Sequence, residues 1–308
     1  MHSECHDIEA ETYGRVRESS ICIDGTRVNY LDSGSGDKCV LLIHGGVNND
    51  AYSTWFKWNR TIDVLSKERR VVAMDLPGYG LSGMPREFTQ DYYVDFIGRF
   101  AGALGIGKAD IVGTSMGAGL AIGYALRNSE SVESLALISP YGLGFGLPRV
   151  ARIALRVIPY RLISNLIGFL DEHKAFTRRV TRVLFGQGSK SMIKAMDGMN
   201  KNRMRESFHR FMIDESFTLR GIILGRRAGM RTDYRKDINR LNGTGIRTLF
   251  IQGENDTIVR LGGISKIVAG LRNVELDVVD GCRHSPHFQK PERVNADIVE
   301  FLEKNRDS

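Results

Sequence analysis

No stretch of the 308 residues stays apolar for the roughly 20 residues a helix needs to cross a bilayer, so no transmembrane segment is expected. The first residues, MHSECHDIEAETYGRVRESS, are polar and partly acidic and lack the apolar core of a secretory signal. These absences lead to the expectation of a soluble, cytoplasmic protein. There are only four cysteines (Cys5, Cys22, Cys39 and Cys282); they lie far apart and form no CxxC pair. Such spacing gives little basis for a disulfide framework or a zinc site, so reduced thiols and no metal are expected. Nothing resembles a P-loop, and Gly78-Tyr79-Gly80 is too short and misplaced for a dinucleotide fingerprint, so no cofactor is expected. Internal repeats, low-complexity tracts and recognised nucleic-acid modules are also absent, and no nucleic-acid partner is expected.

What is present is apolar residues, 42% of the chain, ample for a sizeable core. The length suits one α/β domain carrying a large insertion. The net charge of +7 is unevenly spread. Residues 149–236 carry 20 basic and 7 acidic side chains, whereas the remainder carries 23 basic and 29 acidic ones. The basic segment fits either a solvated face of amphipathic helices or a wall that concentrates an anionic small-molecule substrate.

Apolar runs mark the strands. Ile21 to Ile23 and Thr26 to Leu31 flank Asp24-Gly25, a strong hairpin signal. Val40 to Ile43, Val71 to Met74 and Leu135 to Ile138 are continuous apolar runs, and Ala109 to Val112, Thr248 to Ile251 and Val274 to Val279 are strand-like runs with polar residues among the apolar ones. Such runs suit strands covered on both faces, as in a parallel sheet. Helical patterns fall between them at Thr89 to Leu104, with Thr89 as N-cap, at Ala118 to Arg127 and at Pro291 to Lys304. The alternation predicts an α/β fold.

Residues 141–236 break that alternation and read as several helices. Val150, Ile153, Ala154, Val157 and Ile158 form one apolar stripe, with Arg149, Arg152 and Arg156 opposite, before Pro159 stops the helix. The expected organisation is a core in two parts, 1–140 and 237–308, with a helical cap at 141–236.

Gly113-Thr114-Ser115-Met116-Gly117 matches G-x-S-x-G. As a bare pattern it is a Gly-rich turn with a capping serine. Its setting, after an apolar strand run and before a helical one, is the strand-to-helix turn that exposes a nucleophile. Small residues on both sides let the backbone bend sharply and approach its neighbours.

With this elbow the chain resembles the α/β-hydrolase-fold enzymes from residue 21 to 305. The likeness rests on His44-Gly45-Gly46, on Asp75-Leu76-Pro77-Gly78-Tyr79-Gly80-Leu81-Ser82, on the elbow, and on a late Asp and His. It implies a mostly parallel eight-stranded sheet flanked by helices, and the chain order Ser, acid, His. Ser115, Asp256 and His284 obey that order. Asp256 lies just past a strand run, where a carboxylate can fix a histidine tautomer; Glu254 is the local rival. His284 is preferred to His287 because it is nearer its strand end and matches a Gly-x-x-His spacing. His209, in the cap, is read as structural.

The resemblance further implies an oxyanion hole from the backbone N–H groups of Met116 and Gly46, with Val47 as the alternative to Gly46. Val47, Thr114 and His287 are expected to line the substrate site, with no metal. His44, Asp75 and Ser82 are read as holding their own turns. The expected reaction is acyl transfer through an acyl-enzyme, with His284 as the base. A carboxylic ester or related acyl compound comes first as substrate, with Leu162, Leu166, Phe169 and Phe185 of the cap as pocket walls. The alternative is the carbon–carbon bond of a ketone or dienoate ring-cleavage product. The His-Gly-Gly turn and Ser-Met-Gly elbow resemble those enzymes, but Thr114 stands where they commonly carry Asn and Ser285 where they commonly carry Trp. A third reading is a non-catalytic or lyase-like descendant that keeps the pocket for binding; the intact Ser, His and Asp argue against it. A homodimer is left open.

Overall fold

The computed structural model describes residues 11–13, 15–45, 54–83, 85, 86, 89–143 and 234–304. Nine strands form one sheet: β1 (Glu11–Tyr13), β2 (Val16–Ile23), β3 (Thr26–Ser33), β4 (Cys39–Ile43), β5 (Arg70–Met74), β6 (Ala109–Thr114), β7 (Val132–Ile138), β8 (Arg247–Gly253) and β9 (Val274–Val279). Their spatial order is β1-β2-β3-β5-β4-β6-β7-β8-β9. The first three strands and β5 pair antiparallel, and every pairing from β5 through β4 to β9 is parallel. The eight strands read from the sequence are all present. The ninth, β1, is a three-residue extension of the antiparallel edge, held by pairing with β2.

Six α-helices belong to the described residues: α1 (Thr54–Leu65), α2 (Gln90–Ala103), α3 (Met116–Arg127), α4 (Leu261–Val268), α5 (Pro286–Gln289) and α6 (Pro291–Glu303). Thr89 caps α2 as expected, its hydroxyl accepting the Tyr92 N–H at 3.1 Å.

Alternation along the central strands divides the core. On β4, Leu41 and Ile43 join a cluster with Phe96 and Phe100 of α2 and Leu120 of α3. Val40 and Leu42 face the other way, onto Trp58 and Ile62 of α1 and Ile298 and Phe301 of α6. Period-two side-chain direction makes a strand covered on both faces wholly apolar, which is why these runs were legible. At the N-terminal edge of the sheet a buried ion pair links Arg69 to Asp110 at 2.9 Å. Ser134 donates to the same carboxylate at 2.6 Å and Arg69 donates to the Leu302 carbonyl at 2.8 Å, so the charges are compensated.

One expectation needs correcting. Cys22 is disulfide-bonded rather than reduced. Cys39 and Cys282 are free and buried, and burial pushes both thiols up, Cys39 to about 11. Among the described residues, no helix is long and apolar enough to cross a membrane, and no cluster of metal-ligating side chains occurs. Of the cap expected at 141–236, residues 144–233 lie outside the described residues, His209 among them.

Candidate active site

Strand β6 ends at Thr114, and α3 starts at Met116, so Ser115 alone makes the turn between them. Its φ of 50° lies in the left-handed region, an unfavourable backbone state for a residue with a side chain. Contacts on every side hold it there. The Ser115 N–H donates to the Ile138 carbonyl at 2.8 Å, and its carbonyl accepts from Gly119 at 3.1 Å and Tyr141 at 3.0 Å. The flanking glycines are sterically required: a Cβ on Gly117 would sit 2.2 Å from the Ile43 carbonyl, and one on Gly113 would sit 2.7 Å from the Ala118 backbone.

Two loops at the far side of the sheet supply the partners. Asp256 follows β8 and His284 follows β9. The loops interlock: the Asn255 N–H donates to the Cys282 carbonyl at 2.7 Å, and Gly253 packs so closely that a Cβ would lie 2.0 Å from the Arg283 carbonyl. This closure joins the three side chains into one line. His284 Nε2 is 2.9 Å from Ser115 Oγ, and His284 Nδ1 is 2.8 Å from Asp256 Oδ2. Ser115, His284 and Asp256 are only 8%, 4% and 5% exposed, so the line is shielded from bulk water.

Asp256 is saturated with donors. Its Oδ1 accepts the N–H groups of Ile258 at 2.8 Å and Val259 at 3.0 Å, and its Oδ2 accepts Gln252 Nε2 at 2.9 Å besides His284. Burial pushes this carboxyl up. The hydrogen bond and charge of His284, with the Val259 and Ile258 N–H groups, outweigh burial and hold it below the usual carboxylate range. It is therefore ionised at neutral pH and accepts the Nδ1–H of His284, leaving Nε2 to accept from Ser115.

The other expected residues differ in their surroundings. Met116 opens α3, where backbone N–H groups have no partner inside the helix. Thr114 is buried beside Gly45, its carbonyl 3.2 Å from where a Cβ on that glycine would lie. Gly46 and Val47 lie outside the described residues. His287 stacks on Trp58 of α1, with centroids 5.5 Å apart, and lies tilted against Phe288, at 4.5 Å. Glu254 faces away, its carboxylate accepting the Gly281 N–H at 2.8 Å from an exposed position. It is His284 and Asp256, rather than His287 and Glu254, that stand in the hydrogen-bonded line with Ser115.

The supporting loops behave as read. His44 Nε2 accepts the Leu76 N–H at 2.9 Å and its Nδ1 lies 2.8 Å from the Gly45 carbonyl, so the ring pins the turn ahead of Gly46. Asp75 Oδ1 accepts the N–H and hydroxyl of Thr54 at 2.7 and 2.6 Å, and its Oδ2 accepts Leu81 at 3.0 Å and Asn29 at 3.2 Å. Ser82 donates to the Asp75 carbonyl at 2.6 Å. Burial pushes the Asp75 carboxyl up despite these donors. The sequence reading missed that Asp75 anchors the start of α1, that Trp58 packs on His287, and that Gln252 reaches Asp256. Only the last left a local trace, a polar residue closing the run Leu249-Phe250-Ile251-Gln252.

A family model described as "alpha/beta hydrolase fold" matches residues 38–291. The chain belongs to the α/β-hydrolase fold family. Within that family it is 37% identical over 123 residues to a 2-hydroxymuconate semialdehyde hydrolase from Pseudomonas sp. (strain CF600), a match covering 39% of this chain and 42% of that relative. The chain thus matches less than half the length of that relative. It is 26% identical over 286 residues to a 2-hydroxy-6-oxononadienedioate/2-hydroxy-6-oxononatrienedioate hydrolase from Burkholderia vietnamiensis, covering 91% of this chain and 93% of the relative. Among solved structures, a meta-cleavage product hydrolase from Pseudomonas fluorescens IP01 superposes with a TM-score of 0.65 at 26% identity, covering 92% of this chain and 97% of that one.

Proposed function

We propose that the protein hydrolyses the carbon–carbon bond beside the ketone of a ring-cleavage dienoate, with Ser115 as nucleophile, His284 as base and Asp256 as the residue that orients it. The observation that carries the chemistry is the unbroken line from Ser115 Oγ through His284 to Asp256. The substrate class is supported by the relatives, two of which are named for 2-hydroxymuconate semialdehyde and 2-hydroxy-6-oxononadienedioate. This reverses the order of preference given by Thr114 and Ser285, which put esters first.

In this reading His284 Nε2 takes the Ser115 proton as Oγ adds to the ketone carbon. Negative charge develops on the former carbonyl oxygen and is met by the Met116 N–H, with Gly46 as the second donor. Once the 2-hydroxy dienoate has shifted its enol proton onto the chain carbon beside the ketone, collapse breaks the bond to that carbon, its electron pair is drawn into the conjugated 2-keto acid as a dienolate, and the dienolate takes the proton held by His284. An acyl-enzyme remains, and water deprotonated by His284 releases it. No atom outside the substrate, water and these residues is required.

The division into core parts 1–140 and 237–308 with an inserted segment at 141–236 belongs to the same proposal. It is supported at its base, where the Tyr141 N–H donates to the Ser115 carbonyl and the Tyr234 N–H donates to the Gly142 carbonyl. A basic inserted segment suits a dianionic substrate. Cytoplasmic location and a small anionic substrate remain part of this reading.

Two measurements test it. A fluorophosphonate should label Ser115 in the folded protein and not a Ser115→Ala variant. A coloured 2-hydroxy-6-oxo-dienoate should then lose its visible absorbance faster, per unit kcat/KM, than any of a panel of p-nitrophenyl esters is cleaved. Labelling with ester turnover but no dienoate turnover would favour the carboxylesterase reading. No labelling would remove nucleophilic catalysis altogether.

A further inference from the structure

Gln252 occupies a position where packing alone would place an apolar side chain. It is fully buried near the end of β8, following Phe250 and Ile251. Its Nε2 donates to Asp256 Oδ2 at 2.9 Å and to the Val259 carbonyl at 2.8 Å. Both amide hydrogens are used, which fixes the orientation: the flipped amide would press its oxygen against a carboxylate and a carbonyl. Among the described residues its Oε1 has no hydrogen-bond partner. A buried acceptor left unpaired is unfavourable, so the amide is kept for its donors.

Those donors complete Asp256. A carboxylate offers about four acceptor positions. Two are filled by the Ile258 and Val259 N–H groups, one by His284 and the last by Gln252. The bond to Val259 also ties the loop that carries Asp256 back onto the strand end.

We infer that Gln252 is a positioning residue for the reaction. It holds the Asp256 carboxylate in the rotamer that faces His284. By sharing Oδ2 it also limits how firmly the imidazolium is held, so that His284 can return its proton. The inference rests on the roles proposed above for Ser115, His284 and Asp256.

The test is the pH dependence of fluorophosphonate labelling at Ser115, which needs no knowledge of the substrate. Gln252→Met should label about ten- to a hundredfold more slowly, the scale of a small misplacement in a catalytic group. The acid limb of labelling should move to higher pH, because Oδ2 then has one donor fewer to share. In an Asp256→Ala background the same replacement should change the rate by less than about twofold, since the group it acts through is gone. A residue that only fills space would lower the melting temperature, leave the acid limb in place and carry its loss undiminished into that background; either of the last two results overturns the inference.

Gln252→Leu repeats the test with a different shape should the methionine variant not fold. In the wild-type protein, the Nε2 hydrogens of Gln252 should resist exchange and shift along the acid limb, and a freely exchanging amide would overturn the inference. If the wild-type protein itself is not labelled, the roles of Ser115 and His284 fall first. If it labels and the variants match it in rate and profile, only the role of Gln252 falls.

Discussion

Replacing Asp256 by Asn changes one atom and should nearly abolish activity. The new amide has two orientations. With its oxygen toward the Ile258 and Val259 N–H groups, its NH2 takes the place of Oδ2, 2.8 Å from His284 Nδ1 and 2.9 Å from Gln252 Nε2. Two NH2 groups then confront each other, and His284 must accept at Nδ1 and carry its proton on Nε2. That proton points at Ser115 Oγ, 2.9 Å away, where a vacant lone pair is needed. The opposite orientation sets the NH2 against two backbone N–H groups. Either way the base is lost while the shape is kept. The corresponding change in serine proteases costs about ten-thousandfold in kcat, which is about 5 kcal/mol of transition-state stabilisation. Asp256→Ala removes the charge but lets the imidazole adopt either tautomer, so it should be no less active than Asp256→Asn. The assay is the labelling rate at Ser115 beside substrate turnover, with melting temperature as the control for folding. A folded Asp256→Asn protein within about tenfold of wild type at neutral pH would refute the role of this carboxylate.

Other consequences follow from contacts farther out. Gly253→Ala places a Cβ 2.0 Å from the Arg283 carbonyl, so the acid and base loops must separate; a shift near an ångström should cost about a hundredfold in kcat. Arg69→Met strips the partner from buried Asp110, and urea unfolding should show a loss of about 3–5 kcal/mol. Gly123→Ala meets the Tyr234 hydroxyl at 2.1 Å and should destabilise by about 1–3 kcal/mol. Among the described residues that buried hydroxyl has no hydrogen-bond partner, so Tyr234→Phe should be near neutral alone and should recover part of the Gly123→Ala loss. For pH, the sign follows from the lowered Asp256 carboxyl. A depressed folded value contributes stability above the ordinary carboxylate range and loses it as pH falls through the folded value. The gap in melting temperature between wild type and Asp256→Ala should therefore narrow as the solution is acidified from pH 6 to about 3. A constant gap would show that the carboxylate is not stabilised in the folded state.

The parts of this molecule that were legible are those with a local physical signature. Val40–Ile43 and Leu135–Ile138 read as strands because burial on both faces removes polar residues from consecutive positions, and both runs are buried throughout. Ser115, Asp256 and His284 were singled out because each lies beyond a strand-like run. Helix α1 was missed because TWFKWNRTIDVL mixes charges into its apolar pattern; its register is set by Trp58 and Ile62 packing under the sheet. Helix α4 begins LGGISKIV, and paired glycines argue for a loop until Ile264 is buried. The links from Asp75 to Thr54, 21 residues away, and from Trp58 to His287 have no local pattern at all. A three-residue strand such as β1 likewise exists only through its neighbour.

The same distinction explains why Ser115 can be strained and still be held in place. A left-handed serine costs about 1–3 kcal/mol, and an isolated turn of this sequence would relax. Here it is clamped through Ile138 on β7, Gly119 on α3 and Tyr141 beyond β7, while Gly113 and Gly117 let α3 approach β4 and β6 closely enough to hold the clamp. The Tyr141 clamp has a second effect. In the proposed organisation the inserted segment runs from 141 to 236, and near its two ends the Tyr141 N–H donates to the Ser115 carbonyl and the Tyr234 N–H to the Gly142 carbonyl. The chain therefore leaves and returns within two hydrogen-bonded steps of Ser115. Substitutions in residues 144–233 should accordingly change which acyl group reaches Ser115, while the distance from Ser115 to His284 stays under the control of the core.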